Sequence, residues 1–204
     1  MFYYKNTIMK LRFKELAIIM LLLGTTLFIG CDKRISSAEF GVPLIYIPAA
    51  QQSGGVNLDY LVPSNISYDT TTNNFLVDSV NNLVDVYLGV NCSSLQQAGY
   101  TVNVSTRSDT IIQMINNGTI NVAPDASDSV FLLPASAYTL PSSVTVPSGS
   151  LRATFNLAIN FTTLKTYARK KVALCVVISN PTNYALSPTL FQVIIIIDVN
   201  KLNL

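Results

Sequence analysis

The 204-residue chain has no histidine and no tryptophan, and only 12% of its side chains are charged. Without imidazole there is no His-based general acid or base. Serine–histidine and cysteine–histidine nucleophiles and the usual zinc ligand sets are excluded with it. No Walker-type or GxGxxG glycine loop is present to cradle phosphates. A glycosidase needs two well-placed carboxylates. Asp125 and Asp128 are close in sequence but stand in a stretch rich in Ala, Ser and Pro, where Asp bonds its own backbone in turns. The expectation is a protein that binds or scaffolds, with no catalytic residue, no cofactor and no metal.

The N-terminus differs from the rest. Lys5, Lys10, Arg12 and Lys14 precede an apolar run from Leu16 to Gly30, interrupted only by Gly24, Thr25 and Thr26. Charge followed by a short apolar run is the layout of an export signal, and the run is short for a span of ~20 residues. Its end, Leu27-Phe28-Ile29-Gly30-Cys31, resembles a lipobox, in which a small residue precedes the cysteine that is acylated, although Phe28 stands where Leu is usual. Residues 1–30 are therefore expected to be a signal peptide, 31–39 a lipidated tether anchored through Cys31, and 40–204 one domain. Removing residues 1–30 takes away four bases and Glu15, which leaves nine basic against ten acidic residues. The apparent basicity belongs to the signal, and no nucleic-acid partner is expected. Arg169-Lys170-Lys171 reads as the solvated start of a strand.

The remaining sequence has period two. In residues 152–161 the odd positions Ala153, Phe155, Leu157, Ile159 and Phe161 are apolar and the even ones mostly polar, as in a strand buried on one face. Val84, Val86, Leu88 and Val90 form a second such face, with Asp85 and Tyr87 opposite, and Val102 and Val104 a third. Further strands are expected at 42–48, 74–78, 130–133, 143–147, 168–179 and 189–199. One helix is expected over 110–116, capped by Ser108 or Asp109 and closed by Gly118. Many short strands separated by turns, with one short helix, predict an all-β, immunoglobulin-like β-sandwich.

Two strands break the alternation. Residues 172–178 and 193–197 are continuously apolar, so both of their faces need cover. A local loop or the helix could provide it, or a partner protein docked on the sheet. Cys175 lies inside one of these runs, where a free thiol behaves as a small hydrophobe, and pairing with Cys92 is the less favoured alternative. The missing tryptophan removes the most effective side chain for stacking on sugars. The tyrosines considered for glycan contact are Tyr60, Tyr68, Tyr100, Tyr138, Tyr167 and Tyr184, each of which could equally be structural.

Three groups of residues carry a resemblance. The first is Leu133-Pro134-Ala135-Ser136-Ala137-Tyr138-Thr139-Leu140, then Val144-Thr145-Val146-Pro147-Ser148-Gly149-Ser150 and the alternating strand to Phe161. The second is the opening Leu44-Ile45-Tyr46-Ile47-Pro48. The third is Val86-Tyr87-Leu88-Gly89-Val90 leading to Tyr100-Thr101-Val102-Asn103-Val104. In this order they resemble the DUF1735 domain of Bacteroidetes, the N-terminal domain type of a Bacteroides endo-β-N-acetylglucosaminidase, over roughly residues 40–200. The resemblance implies an outer-membrane lipoprotein, on the cell-surface side, from a polysaccharide-utilisation cluster. Its implied partners are SusC/SusD-like outer-membrane proteins and an oligosaccharide. It transfers no residue-level site. Cys31-Asp32-Lys33-Arg34, one acid followed by two bases, departs from the acidic stretch common after the lipidated cysteine of surface-exported relatives. Two readings stay open: a non-catalytic accessory or scaffold subunit of a glycan importer, and a stand-alone surface glycan-binding lipoprotein.

Overall fold

Alternating and continuous apolar strands are sorted into two sheets that share one core. The computed structural model describes residues 41–52, 59–64, 73–94, 98–120 and 129–204. Cys31, the apolar N-terminal run, Tyr68 and the Asp125–Asp128 stretch lie outside the described residues. Sheet A contains β1 (Leu44–Tyr46), β3 (Phe75–Asp78), β4 (Leu83–Cys92), β7 (Tyr138–Thr139), β9 (Arg152–Asn160) and β11 (Ala185–Leu186). Its order is β11-β1-β4-β9-β7, with β3 also paired to β4. Sheet B contains β2 (Asp59–Val62), β5 (Tyr100–Thr106), β6 (Val130–Leu132), β8 (Ser143–Val146), β10 (Lys171–Ser179) and β12 (Gln192–Asp198). Its order is β2-β12-β10-β5-β8, with β6 also paired to β10. The chain is an all-β sandwich, as its patterning predicts.

The inner faces follow the period of two. Val84, Val86, Leu88 and Val90 of β4 and Leu157 and Ile159 of β9 are fully buried, against Val172, Val176 and Ile178 of β10 and Ile195 and Ile197 of β12. Antiparallel pairing along the whole of β9, from Leu83↔Asn160 to Asn91↔Arg152, makes β4–β9 the spine of sheet A.

The continuously apolar strands are covered locally. Helix α2 (Ser108–Asn116) follows the four-residue α1 (Ala49–Gln52) in the chain and lies on the outer face of sheet B. Its Ile111, together with Ile120, packs on Val130, Ala173, Cys175, Val177, Ile194 and Ile196 in a second apolar cluster behind that sheet. Every residue of 172–178 and 193–197 is buried as a result. Burying one such isoleucine is worth about 1.5–3 kcal/mol. Neither strand offers an exposed apolar position, so the surface on which a docked partner was expected is occupied by the chain's own helix.

Helix α2 ends where the sequence predicts but starts differently. Gly118 (φ +70°) donates to the Ile115 carbonyl and Thr119 donates to that of Met114. This closure uses a left-handed residue just past the helix, where glycine carries no Cβ penalty. At the start neither Ser108 nor Asp109 caps. Arg107 occupies the N-cap without a side-chain cap bond, since a guanidinium has no acceptor to offer, and its backbone N–H donates to the Cys175 carbonyl. Asp109 instead sits in the first turn, 3.6 Å from the Arg107 guanidinium.

A third short helix, α3 (Phe161–Lys165), corrects the expectation that the alternating strand runs to Phe161. Asn160 turns the chain, its side chain accepting from the Thr163 N–H at 2.8 Å. Residues 168–170 then form a turn containing Arg169 (φ +64°), so β10 starts at Lys171 rather than 168. Cys92 and Cys175 form no disulfide with each other and both are buried, Cys92 in the core between the sheets and Cys175 in the cluster behind sheet B.

Candidate functional site

The same alternation that buries one face of sheet A turns the other outward. On β4 the outward residues are Leu83, Asp85, Tyr87, Gly89 and Asn91. The register sets Asn156 beside Tyr87, Thr154 beside Gly89, and Arg152 beside Asn91. On the other edge Tyr46 of β1 stands opposite Asn91. Two half-buried tyrosines therefore flank a glycine on an open sheet face. Gly89 lies between the Tyr87–Asn156 row and the Tyr46–Asn91–Arg152 row and is itself buried. A Cβ at Gly89 would meet the Ala153 carbonyl oxygen at 3.2 Å.

Hydrogen bonds hold the residues of this face in place. Asn91 donates from Nδ2 to the Tyr46 hydroxyl at 3.0 Å, while its Oδ1 accepts from the Cys92 N–H at 2.9 Å. The Tyr87 backbone is held from two sides. Its N–H donates to the Asn74 carbonyl at 3.0 Å, and its own carbonyl accepts from the Tyr60 hydroxyl at 3.3 Å. Asn74 is fully buried, and its side chain donates to the Leu61 carbonyl and accepts from the Ser64 N–H, both at 2.8 Å. This one residue ties the edge of sheet B to the strand that carries Tyr87.

Charge on the face is uneven. Arg152 stands at the Tyr46 end, and Asp85 and Asp78 at the other. Desolvation, and after it the neighbouring Asp78, raises the Asp85 carboxyl above its ordinary range. Asp78 is lowered, chiefly by the hydrogen bonds it accepts from Asn81. Aromatic faces, amides and hydroxyls on one surface can hold a polyhydroxylated ligand. Among the described residues no three metal-binding side chains cluster.

The tyrosines singled out in the sequence do not meet on one surface. Tyr60 crosses the core from β2, is 3% exposed, and burial pushes its phenol up to about 12. Tyr100 is 2% exposed, and its buried hydroxyl has no hydrogen-bond partner. Neither ring offers a face to a ligand, because each fills the sandwich core. Tyr138 donates to the Thr106 hydroxyl at 3.0 Å. Tyr167 packs on the core and against Phe131, with ring centroids 6.4 Å apart. Tyr184 (φ +64°) meets Tyr100 edge-on at 5.9 Å and donates to the Ala98 carbonyl at 3.1 Å. Tyr46 and Tyr87, which the sequence reading did not single out, are the pair that share a face. The signal was present for Tyr87, which sits between Val86 and Leu88 and must point away from them.

No curated protein matches the sequence. Solved structures from Bacteroides are similar over part of the chain. A carbohydrate-binding candidate from Bacteroides ovatus is 12% identical, with a TM-score of 0.49 over 76% of this chain and 37% of its own. An auxiliary nutrient binding protein from Bacteroides thetaiotaomicron is 16% identical, with a TM-score of 0.45 over 68% of this chain and 42% of its own. A multidomain protein from Bacteroides ovatus that includes DUF1735 is 16% identical, with a TM-score of 0.41 over 57% and 36%. The chain thus spans about two fifths of the length of each of these proteins. A family model described as a "-like, N-terminal domain" matches residues 45–185, more than half of the sequence. With the ordered motifs of β1, β4, β5 and β7–β9 and the two-sheet architecture they build, the chain belongs to the DUF1735 family of N-terminal domains.

Proposed function

We propose that this protein is a lipid-anchored, non-catalytic glycan-binding accessory of an outer-membrane uptake system, and that the outer face of sheet A is its glycan contact. The observation that carries the reading is the pair Tyr46 and Tyr87, half-buried on one open face, with Gly89 between them. Tyr rings present an apolar body to the C–H faces of a sugar and a hydroxyl to its rim. Asn91, Asn156 and Thr154 add donors and acceptors for sugar hydroxyls. Among the described residues of this face no nucleophile is paired with a base, which supports binding rather than turnover. The accessory role is what the family resemblance implies, with SusC/SusD-like proteins as the proposed partners. Helix α2 covers the apolar strands that first suggested a docked partner, and so the glycan contact takes precedence over a purely scaffolding role.

The deciding experiment titrates the full-length protein against a panel of oligosaccharides. Binding to at least one glycan, lost in Tyr87→Ala while the melting temperature holds, is the expected result. Retention of binding in the Tyr46→Ala, Tyr87→Ala double variant would remove this face as the site. The anchor is tested separately. Cys31→Ala should release the protein from the membrane fraction and end incorporation of labelled fatty acid.

A further inference from the structure

We infer that a cavity between the turn after α3 and the segment after β12 takes a small hydroxylated organic anion of about one ring, with Arg169 as its anion-binding group. The site lies away from the Tyr46–Tyr87 face and does not rest on the glycan reading of that face.

Its position follows from the chain path. Helix α3 continues from Asn160, which pairs with Leu83 at the start of β4, whereas Tyr46 pairs with Asn91 near the other end of that strand. Beyond α3 the chain turns through Arg169 into β10, and beyond β12 it enters a short 3-10 helix (Val199–Leu202). The two segments are tied together. The Val199 N–H donates to the Lys170 carbonyl at 3.2 Å, and the Lys170 N–H donates to that of Tyr167 at 2.9 Å. Between them opens a cavity of about 370 Å³, to which the first segment contributes Lys165 and Arg169 and the second Val199, Asn200, Asn203 and Leu204. That volume is at the small end of small-molecule sites and suits one ring rather than a chain.

Charge gives the class of ligand. Lys165, Arg169, Lys170, Lys171 and Lys201 gather at this end of the sandwich, with Asp198 as the acid among them. Lys201 pairs with Asp198 at 3.3 Å, and Lys165 and Lys170 sit over the Phe161 and Phe131 rings at 4.4 and 4.8 Å. Arg169 is exposed and makes no such contact among the described residues. Its guanidinium fork matches a carboxylate or a phosphate in geometry and charge, and the lysines around it add to the field. The exposed amides of Asn200 and Asn203 offer donors and acceptors to ring hydroxyls, beside an apolar patch at Val199 and Leu204. A sugar acid and a sugar phosphate share the chemistry this arrangement reads, an oxyanion on a hydroxylated ring.

The backbone supplies a control. Arg169 has φ +64°, the left-handed region in which a Cβ is penalised. Of the five described non-glycine residues with positive φ, Asn82, Asn180 and Asn203 are asparagines, whose side chains tolerate it, and Arg169 is not. Glycine would fit this turn without strain. Arg169→Gly therefore removes the guanidinium while easing the backbone, so that loss of binding is separable from loss of fold.

Isothermal titration of the full-length protein tests this with galacturonate and glucose 6-phosphate, each against its neutral parent sugar, and with inorganic phosphate. At least one of the two anionic sugars should bind about tenfold tighter than its parent, the scale of a single charge-assisted contact. Which one wins separates carboxylate from phosphate. Arg169→Gly should melt no lower than the unaltered protein and still lose the preference, and Arg169→Lys should keep part of it. The Tyr46→Ala, Tyr87→Ala double variant should leave it unchanged. No preference over the neutral parents, a preference that survives Arg169→Gly, or inorganic phosphate binding as tightly as the winning sugar anion would overturn the inference. Loss of the preference in the double tyrosine variant would overturn it as well, by placing the anion on the other face.

Discussion

Sheets A and B share one core yet turn different surfaces away from it. The outward positions of β10 are Ala173, Cys175 and Val177, and a helix covers them. Those of β4 are Asp85, Tyr87, Gly89 and Asn91, and they remain open in part. An apolar outward face has to be covered, and here the longest of the described helices lies on it. A face of tyrosines, amides and a glycine needs no cover because its polar tips stay hydrated. The contrast separates a surface built for stability from one available to a ligand, although both are made of strands of similar length.

Substitutions on each side can break or sharpen that contrast. The largest effect belongs to the shared core. Phe155→Ala should cost ~3–5 kcal/mol in denaturant unfolding, whereas its outward neighbour Thr154→Ala should cost little. Equal losses at the two positions would show that β9 does not bury its odd residues. Close behind comes the covered face, where Ile111→Ala should cost ~2–5 kcal/mol, because a fully buried side chain leaves a cavity between α2 and sheet B. If it proves neutral, α2 is not the cover that strands β10 and β12 require.

Asn74→Ala should follow. It leaves the Leu61 carbonyl and the Ser64 N–H without their side-chain partner, at about 1–3 kcal/mol for each buried group. Because Asn74 also holds the strand carrying Tyr87, glycan affinity should fall with stability in this variant. The smallest effect is a pH dependence. Burial pushes the Asp59 carboxyl up from 3.8 to about 6, and its Oδ1 has no hydrogen-bond partner. The folded state holds this proton more tightly than the unfolded one. Its contribution is therefore full below pH 4 and is lost as pH rises through about 6. Asp59→Asn should flatten that decline in melting temperature between pH 4 and 6, and an unchanged slope would rule Asp59 out as its source.

Much of this architecture is legible from residue patterns. Strands β4, β5 and β9 follow from strict alternation, and β10 and β12 from apolar runs that need two covers. The helix that supplies one cover was visible through Gly118. What was not legible depends on distant partners. Strand β2 reads Asp59-Tyr60-Leu61-Val62, with no clear alternation, and exists as a strand because it lies parallel to β12. The two residues of β11 are strand only beside β1. The site was hidden for the same reason. Tyr46 and Tyr87 are far apart in sequence, and only the register of β1 on β4 brings them to one face. Tyr60 and Tyr100 look no different from them as residues, but inward positions make them core.

The placement of the two thiols bears on how the protein must be handled and made. Cys92 lies between the sheets and Cys175 on the far side of sheet B. Packed sheets are about 10 Å apart, and a disulfide needs Cα atoms within ~7 Å. Their native placement does not join them, so a bond between these two thiols needs the sandwich to open. A Cys92–Cys175 bridge would therefore mark a trapped, misfolded molecule. Thiol titration in denaturant after export or refolding should then report the fraction of chains in which this pair has stayed reduced.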